Sequence, residues 1–294
     1  MPLPYTGSHG ELNFESDFVE ELRHAGWQEV LKNKTVPELI DNWRNIIFKR
    51  NRDTLNDIPL SESEMDYLLD VMKLQANTPV KANHFINGPA VGIKRDSDSP
   101  DLQHAGKEVF LDLFSSTEIA GGTSRYQIAE QTQFNTADKY NDRRGDITLL
   151  INGMPVIHIE LKAAGVDIAE ATTQIRKYHQ EGIFRGFMGL VQVFWAISPD
   201  DAVFFANPGD ADRFNPSFFF RWGDRNNRVI KNWRELITGN THILSIPEAH
   251  KLIGYYCIAD TLKDTLKVCR SYQYTAIRAI VGRTEKQIWE DHTQ

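Results

Sequence analysis

Residues 143–162 read RRGDITLLINGMPVIHIELK, and the way this stretch pairs with itself decides the fold. Two apolar, β-rich runs, ITLLI and PVIHIELK, are parted by Asn152 and Gly153, a dipeptide that favours a tight hairpin turn. Side chains alternate along a strand, so Glu160 and Lys162 share one face and Ile159 and Leu161 the other. Whether Asp146 joins the charged face depends on register. A strict two-residue loop pairs Ile151 with Met154 and sets Asp146 opposite Ile159. A three-residue loop with a glycine-permitted bulge pairs Ile151 with Pro155 and Asp146 with Glu160. The expectation is the three-residue, bulged loop, which brings two carboxylates and an ammonium together.

Two carboxylates that close raise each other's pKa, and a divalent cation resolves the conflict. Hard oxygen ligands of this kind suit Mg²⁺, or Mn²⁺ in its place. Asp146 and Glu160 are therefore the expected metal ligands. Lys162 is placed to orient or activate an attacking water or to stabilise charge developing on a phosphate.

Asp146 followed by Glu160-Leu161-Lys162 at the end of the next strand resembles the PD-(D/E)XK nuclease superfamily, with Gly145 where the superfamily name has proline. The next stretch strengthens the resemblance. Asp167 and Glu170 form a capping-box pattern, and Ile168, Ala171, Ile175 and Tyr178 recur at helical spacing. On that helix Gln174 and Tyr178 lie four apart and face the same way. The pair resembles the Q-x-x-x-Y motif of the RecB-like branch, which implies that both residues steady the DNA backbone or Lys162. Arg143, Arg144 and the basic stretches at 176–177 and 225–231 are candidate phosphate contacts.

The chain has 294 residues, with 41% hydrophobic and 25% charged side chains, the composition of a water-soluble globular protein with ample core. No apolar run approaches a membrane span, and MPLPYTGSHGE has no signal-peptide pattern. Cys257 and Cys269 lack metal-ligand spacing and read as buried thiols, which fits a reducing cytoplasm. The net charge of −7 argues against a nucleic-acid coat protein but not against a nuclease, whose own site must be acidic.

Along the chain, residues 1–10 read as a disordered tail. The stretch 11–27 reads as a helix with Phe14, Phe18 and Leu22 four apart, stopped near Gly26. Nucleases of the superfamily bring a glutamate of the first helix toward the metal; Glu15 is the candidate here, with Glu20 as the alternative. Two further helices are expected within 34–75, and 76–105 is expected to be a long loop. Then come strands at EVFLDLF, RYQIAEQTQF, the hairpin, LVQVFWAIS, AVFFAN and FFFRW, with the Gln174 helix between; FNTADKYND is a polar loop feeding Asp146. Short helices follow at 232–239 and from 247–257 on through 259–268. The expected class is α/β (α+β), a mixed β-sheet flanked by helices with an added N-terminal helical layer, as in restriction-endonuclease-like folds.

Near the end, RSYQYTAIRAI resembles the stretch that opens superfamily 2 helicase motors, where a glutamine, here Gln273, recognises adenine. No G-x-x-x-x-G-K-[ST] phosphate loop occurs in this sequence, so ATP is not expected to be fully bound by these residues alone. A nuclease segment followed by the start of a motor resembles the restriction (R) subunit of type I restriction-modification enzymes. The expected organisation is a nuclease domain at 11–258, with a helical insertion at about 31–105 and a catalytic core at about 106–222. A linker and the start of the motor occupy 259–294. The resemblance implies ATP-dependent translocation, Mg²⁺-dependent cleavage of double-stranded DNA, and methylation (M) and specificity (S) partners. A stand-alone RecB-like repair or defence nuclease, or a non-catalytic DNA- or methylase-docking module, are the other readings.

Overall fold

The computed structural model describes residues 5–6, 9–115, 119, 121–134, 143–239 and 242–291, with side chains to residue 284. Most of the tail expected at 1–10 and nearly all of the polar loop FNTADKYND lie outside these residues.

Phe14, Phe18 and Leu22, four apart, put one fully buried stripe on helix α1 (Gly10–His24). The chain then enters β1 (Glu29–Lys32), a short edge strand that the sequence reading passed over. Thr35 and Ser61 each form a capping box with a glutamate three residues on, Glu38 and Glu64. They start α2 (Val36–Arg50) and α3 (Glu62–Gln75) as expected. The long loop expected at 76–105 is corrected. Thr78 caps a helix with Pro79 in its first turn, giving α4 (Pro79–Asn87), and β2 (Val91–Lys94) pairs with β3 (Glu108–Leu111) in a separate two-stranded sheet. Val80, Ala82, Phe85 and Ile86 are buried, so α4 is held by tertiary contacts that a nine-residue segment does not advertise.

The central sheet contains β1, β4 (Tyr126–Phe134), β5 (Arg143–Ile151), β6 (Met154–Leu161), β7 (Val193–Ile197) and β8 (Ala202–Ala206), in that spatial order. β1 runs parallel to β4 and β6 parallel to β7, while the other neighbours are antiparallel. The sheet is therefore mixed, in keeping with the α/β class. β6 and β7 have every residue buried, as expected of inner strands covered on both faces. Helix α5 (Ile168–Gln180) packs across β6 and β7, with Ala171, Ile175 and Tyr178 buried. Asp167 is its N-cap, accepting the Ala169 N–H, but Glu170 does not complete the expected capping box.

Two further expectations near the C-terminal side are revised. FFFRW is not a strand; Phe220 makes only an isolated bridge with Phe204. After α6 (Arg234–Ile237) and α7 (Glu248–Tyr255), the helix expected through 259–268 is instead the hairpin β9 (Cys257–Asp260) and β10 (Thr265–Val268). Its alternation carries Leu266 and Val268 into the main core against α4 and β8. Cys257 and Cys269 are free, buried thiols. Helix α8 (Ser271–Asp291) then docks by its first turns, with Tyr274 against Trp222 and Tyr256. Among the described residues no helix is long and apolar enough to cross a membrane.

Candidate functional site

The hairpin turn itself is a strict two-residue loop. Ile151 pairs with Met154, and Asn152 and Gly153 both take positive φ, 51° and 82°, as a type I′ turn requires. The expected three-residue loop is thus wrong. The register nevertheless shifts by one, because Leu150 pairs with Pro155 and Leu149 with Ile157, which leaves Val156 as an extra residue in β6. Beyond it Thr148 pairs with His158 and Ile147 with Ile159. Continuing that register one step sets Asp146 beside Glu160. The bulge lies within the strand because the turn is anchored: Asn152 Oδ1 accepts the Arg125 N–H and its Nδ2 donates to the Leu113 carbonyl.

Glu160 is fully buried. Its Oε1 shares a 2.8 Å hydrogen bond with His158 Nε2, and its Oε2 has no hydrogen-bond partner. Half-buried Asp146 accepts the Leu161 N–H at 2.7 Å. Burial, and then the neighbouring Glu160 charge, push the Asp146 carboxyl well above the usual carboxylate range. Burial pushes Glu160 up as well, with Lys162 opposing the shift. Lys162 lies beside the pair, its Nζ 3.4 Å from Glu11 on α1.

Glu15 lies on the buried face of α1, where both of its oxygens meet Gln131 Nε2, at 2.7 and 2.6 Å. Burial raises its pKa to about 7, and the Asp146 charge adds to the shift. Gln131 takes φ +56° in β4 at the residue opposite Asp146, between the pairs Glu130–Ile147 and Thr132–Gly145. Glu20, the alternative, is an exposed residue paired with Arg23 and His24.

Tyr178 donates its hydroxyl to the Arg144 carbonyl at 2.7 Å, and Gln174 donates to that hydroxyl at 2.8 Å. The pair therefore braces the backbone two residues before Asp146 rather than reaching Lys162. Arg143 is engaged by Glu181 through two hydrogen bonds, of 2.8 and 2.9 Å, whereas Arg144 is exposed. Gln273 is remote in role: its Oε1 accepts the Arg270 N–H at the start of α8, beside a largely apolar cavity of about 730 Å³ lined also by Phe218 and Tyr272.

The residues brought together are thus Asp146, Glu160 and Lys162, with Glu15 nearby. The sequence reading missed His158, Thr148, Gln131 and Glu11. His158 had a signal, since it alternates with Glu160 and Lys162 on the same strand. Gln131 had none, because a positive φ inside a strand is not written in the residue type.

Whether the site suits a cation can be judged from its donors. Among the described residues no group of three or more His, Cys, Asp or Glu converges as a ready cage. What is present is a hard-oxygen pair, one carboxylate oxygen of which is buried without a partner. Such an oxygen is costly to leave unmatched, and a divalent cation is a fitting partner for it.

Residues 11–213 match the family described as type I restriction enzyme R protein N terminus. The type I restriction enzyme SsaAORF53P endonuclease subunit of Staphylococcus saprophyticus is 28% identical over 275 residues, 92% of this chain and 27% of the relative. The SauMSSORF170P endonuclease subunit of Staphylococcus aureus strain MSSA476 is 26% identical over 273 residues, again 92% and 27%. The EcoprrI endonuclease subunit of Escherichia coli is 30% identical over 171 residues, 56% of this chain and 50% of the relative. The chain spans about a quarter of the length of the staphylococcal relatives.

Proposed function

Because the chain belongs to the type I restriction enzyme R protein N-terminus family, we propose that it is a Mg²⁺-dependent nuclease that hydrolyses phosphodiester bonds of double-stranded DNA at Asp146, Glu160 and Lys162. One observation carries the reading: a bulge at Val156 corrects the register of a two-residue hairpin so that Asp146 comes beside Glu160, with Lys162 two residues further on.

In this reading Asp146 and Glu160, whose Oε2 has no hydrogen-bond partner, would hold the cation, with the Leu161 carbonyl and Glu15 as further oxygen donors. When bound, the ion would supply charge neutralisation at the scissile phosphate and lower the pKa of water toward neutrality. Lys162 holds and orients the attacking water and offsets negative charge as it develops. Tyr178 and Gln174 fix the β5 backbone that delivers Asp146. Exposed Arg144 meets a DNA phosphate, while Arg143 is retained by Glu181. Residues 259–294 lead into an ATP-driven translocating motor, in which Gln273 would face adenine. The M and S subunits are the proposed partners, in a cytoplasmic complex.

The test is cleavage of duplex DNA by the motor-bearing subunit in its complex, with metal binding by calorimetry in parallel. The metal-bound carboxylates act as one unit, so Asp146→Ala should abolish cleavage, by about three orders of magnitude or more, and should weaken Mg²⁺ or Mn²⁺ binding. Wild-type cleavage by Asp146→Ala would sink the site. DNA binding that ignores Mg²⁺, survives Lys162→Ala and never leads to cleavage would move the reading to a docking module.

A further inference from the structure

We infer that His158 is a positioning residue for Glu160: its Nε2–H fixes Oε1 and so reserves Oε2 for the cation. The inference rests on the metal-site reading above and adds to it a residue that does not itself touch metal or DNA.

Four observations carry it. Both ring nitrogens are engaged, Nε2 with Glu160 Oε1 at 2.8 Å and Nδ1 with the Thr148 hydroxyl at 2.9 Å. In its ionised form, the form that would hold a cation, Glu160 can only accept, so Nε2 then carries the proton and Nδ1 accepts from Thr148. Thr148, His158 and Glu160 are all fully buried, so no water competes for these bonds. The Phe134, Phe184 and Phe194 rings surround the imidazole, with centroids 6.2, 5.1 and 6.1 Å away, and leave its plane little freedom.

The fourth observation is Gly145. A Cβ there would lie 2.5 Å from His158 Cε1 and 2.8 Å from Phe134. Any larger residue at the position before Asp146 would therefore displace the imidazole. The glycine, the histidine and the glutamate form one fitted unit, and the carboxylate cannot turn about its terminal bond without breaking the chain back to Thr148. Partners that orient a ligating carboxylate in this way typically contribute 10- to 100-fold in metal affinity.

Phenylalanine and glutamine at 158 separate this role from packing. His158→Phe keeps a ring among the three phenylalanines and removes both hydrogen bonds. His158→Gln packs less well but keeps an N–H where Nε2 stands. Mn²⁺ and Mg²⁺ affinity would be measured by calorimetry with a short DNA duplex present, alongside thermal melts. His158→Phe is expected to weaken metal binding by about 10- to 100-fold and His158→Gln by less than about 3-fold. A packing role gives the opposite order. Should His158→Phe fail to fold, Thr148→Val, which removes only the hydroxyl donor to Nδ1, is expected to weaken binding in the same direction.

If His158→Phe, or Thr148→Val in its place, binds metal as the wild type does, His158 has no positioning role and the nuclease reading stands. If the wild type binds no metal even with DNA, the metal-site reading falls and takes this inference with it.

Discussion

Glu160, Asp146 and Glu15 are carboxyl groups whose environments favour the proton. Burial is the main cause for each, and it raises Glu15 to about 7. Such groups bind protons more readily folded than unfolded, so their stabilising contribution is present at low pH and is lost as pH rises through the folded values. His158 and His179 work in the opposite sense. Burial holds them down to about 4 and about 3, so the unfolded chain takes up protons first. The metal-free protein should therefore gain stability as pH falls from about 8.5 to about 6.5 and level off below, where the histidines oppose the carboxylates. Millimolar Mg²⁺ should raise the melting temperature more as pH rises, because a cation competes with protons for the proposed ligands Asp146 and Glu160, whose carboxyls burial pushes up. Thermal melts across pH with and without metal check this; a metal-free melting temperature that climbs steadily toward pH 8.5 would contradict it.

At the scale of the element, the β5–β6 hairpin owes its register to two devices. The turn needs Gly153, whose φ is +82° and where a Cβ would lie 2.9 Å from the Trp43 Cα on α2. Gly153→Ala is expected to cost about 1–3 kcal/mol, from the left-handed conformation and from the forced retreat of α2. Urea unfolding measures it, and a midpoint equal to that of wild type would show that the turn relaxes freely. The Val156 bulge was invisible in the sequence. Asn-Gly announces a hairpin and a two-residue loop, but the place of the bulge follows from what the strands and turn pack against, including the bonds of Asn152 to Arg125 and Leu113, which the dipeptide does not announce. Placing the bulge in the loop gave the right neighbours for the wrong reason. Helix α5 was readable from its period and from Asp167, whereas the partner of Tyr178, a backbone carbonyl on β5, was not.

Across the whole molecule, buried charge is of two kinds. Arg95 and Glu64 are each about 1% exposed and joined at 3.2 Å. Glu64 also accepts the Ser61 and Asp96 N–H groups, so the pair ties α3 to the loop after β2. Removing one partner leaves a buried charge unmatched, and Arg95→Met is expected to lower stability by about 3–5 kcal/mol. Asp146→Ala should not destabilise the metal-free protein, because it relieves repulsion with Glu160. Comparing the two variants in urea tests the distinction between a charge that holds the fold and one that does not. Equal losses would erase it.

The sequence by itself determined the α/β class, the first three helices, the hairpin and the triplet Asp146, Glu160 and Lys162. Those features are local: helical period, cap residues and two-residue alternation act within a few positions of each other. Tertiary structure decided what depends on distant partners. It made α4 and the β9–β10 hairpin from segments read as loop and helix, since burial against remote elements outweighs weak local preference. It set the bulge at Val156, turned Gln131 onto Glu15 and closed His158 around Glu160. Residue types fix which groups are available; only the packed chain fixes which oxygen is left without a partner.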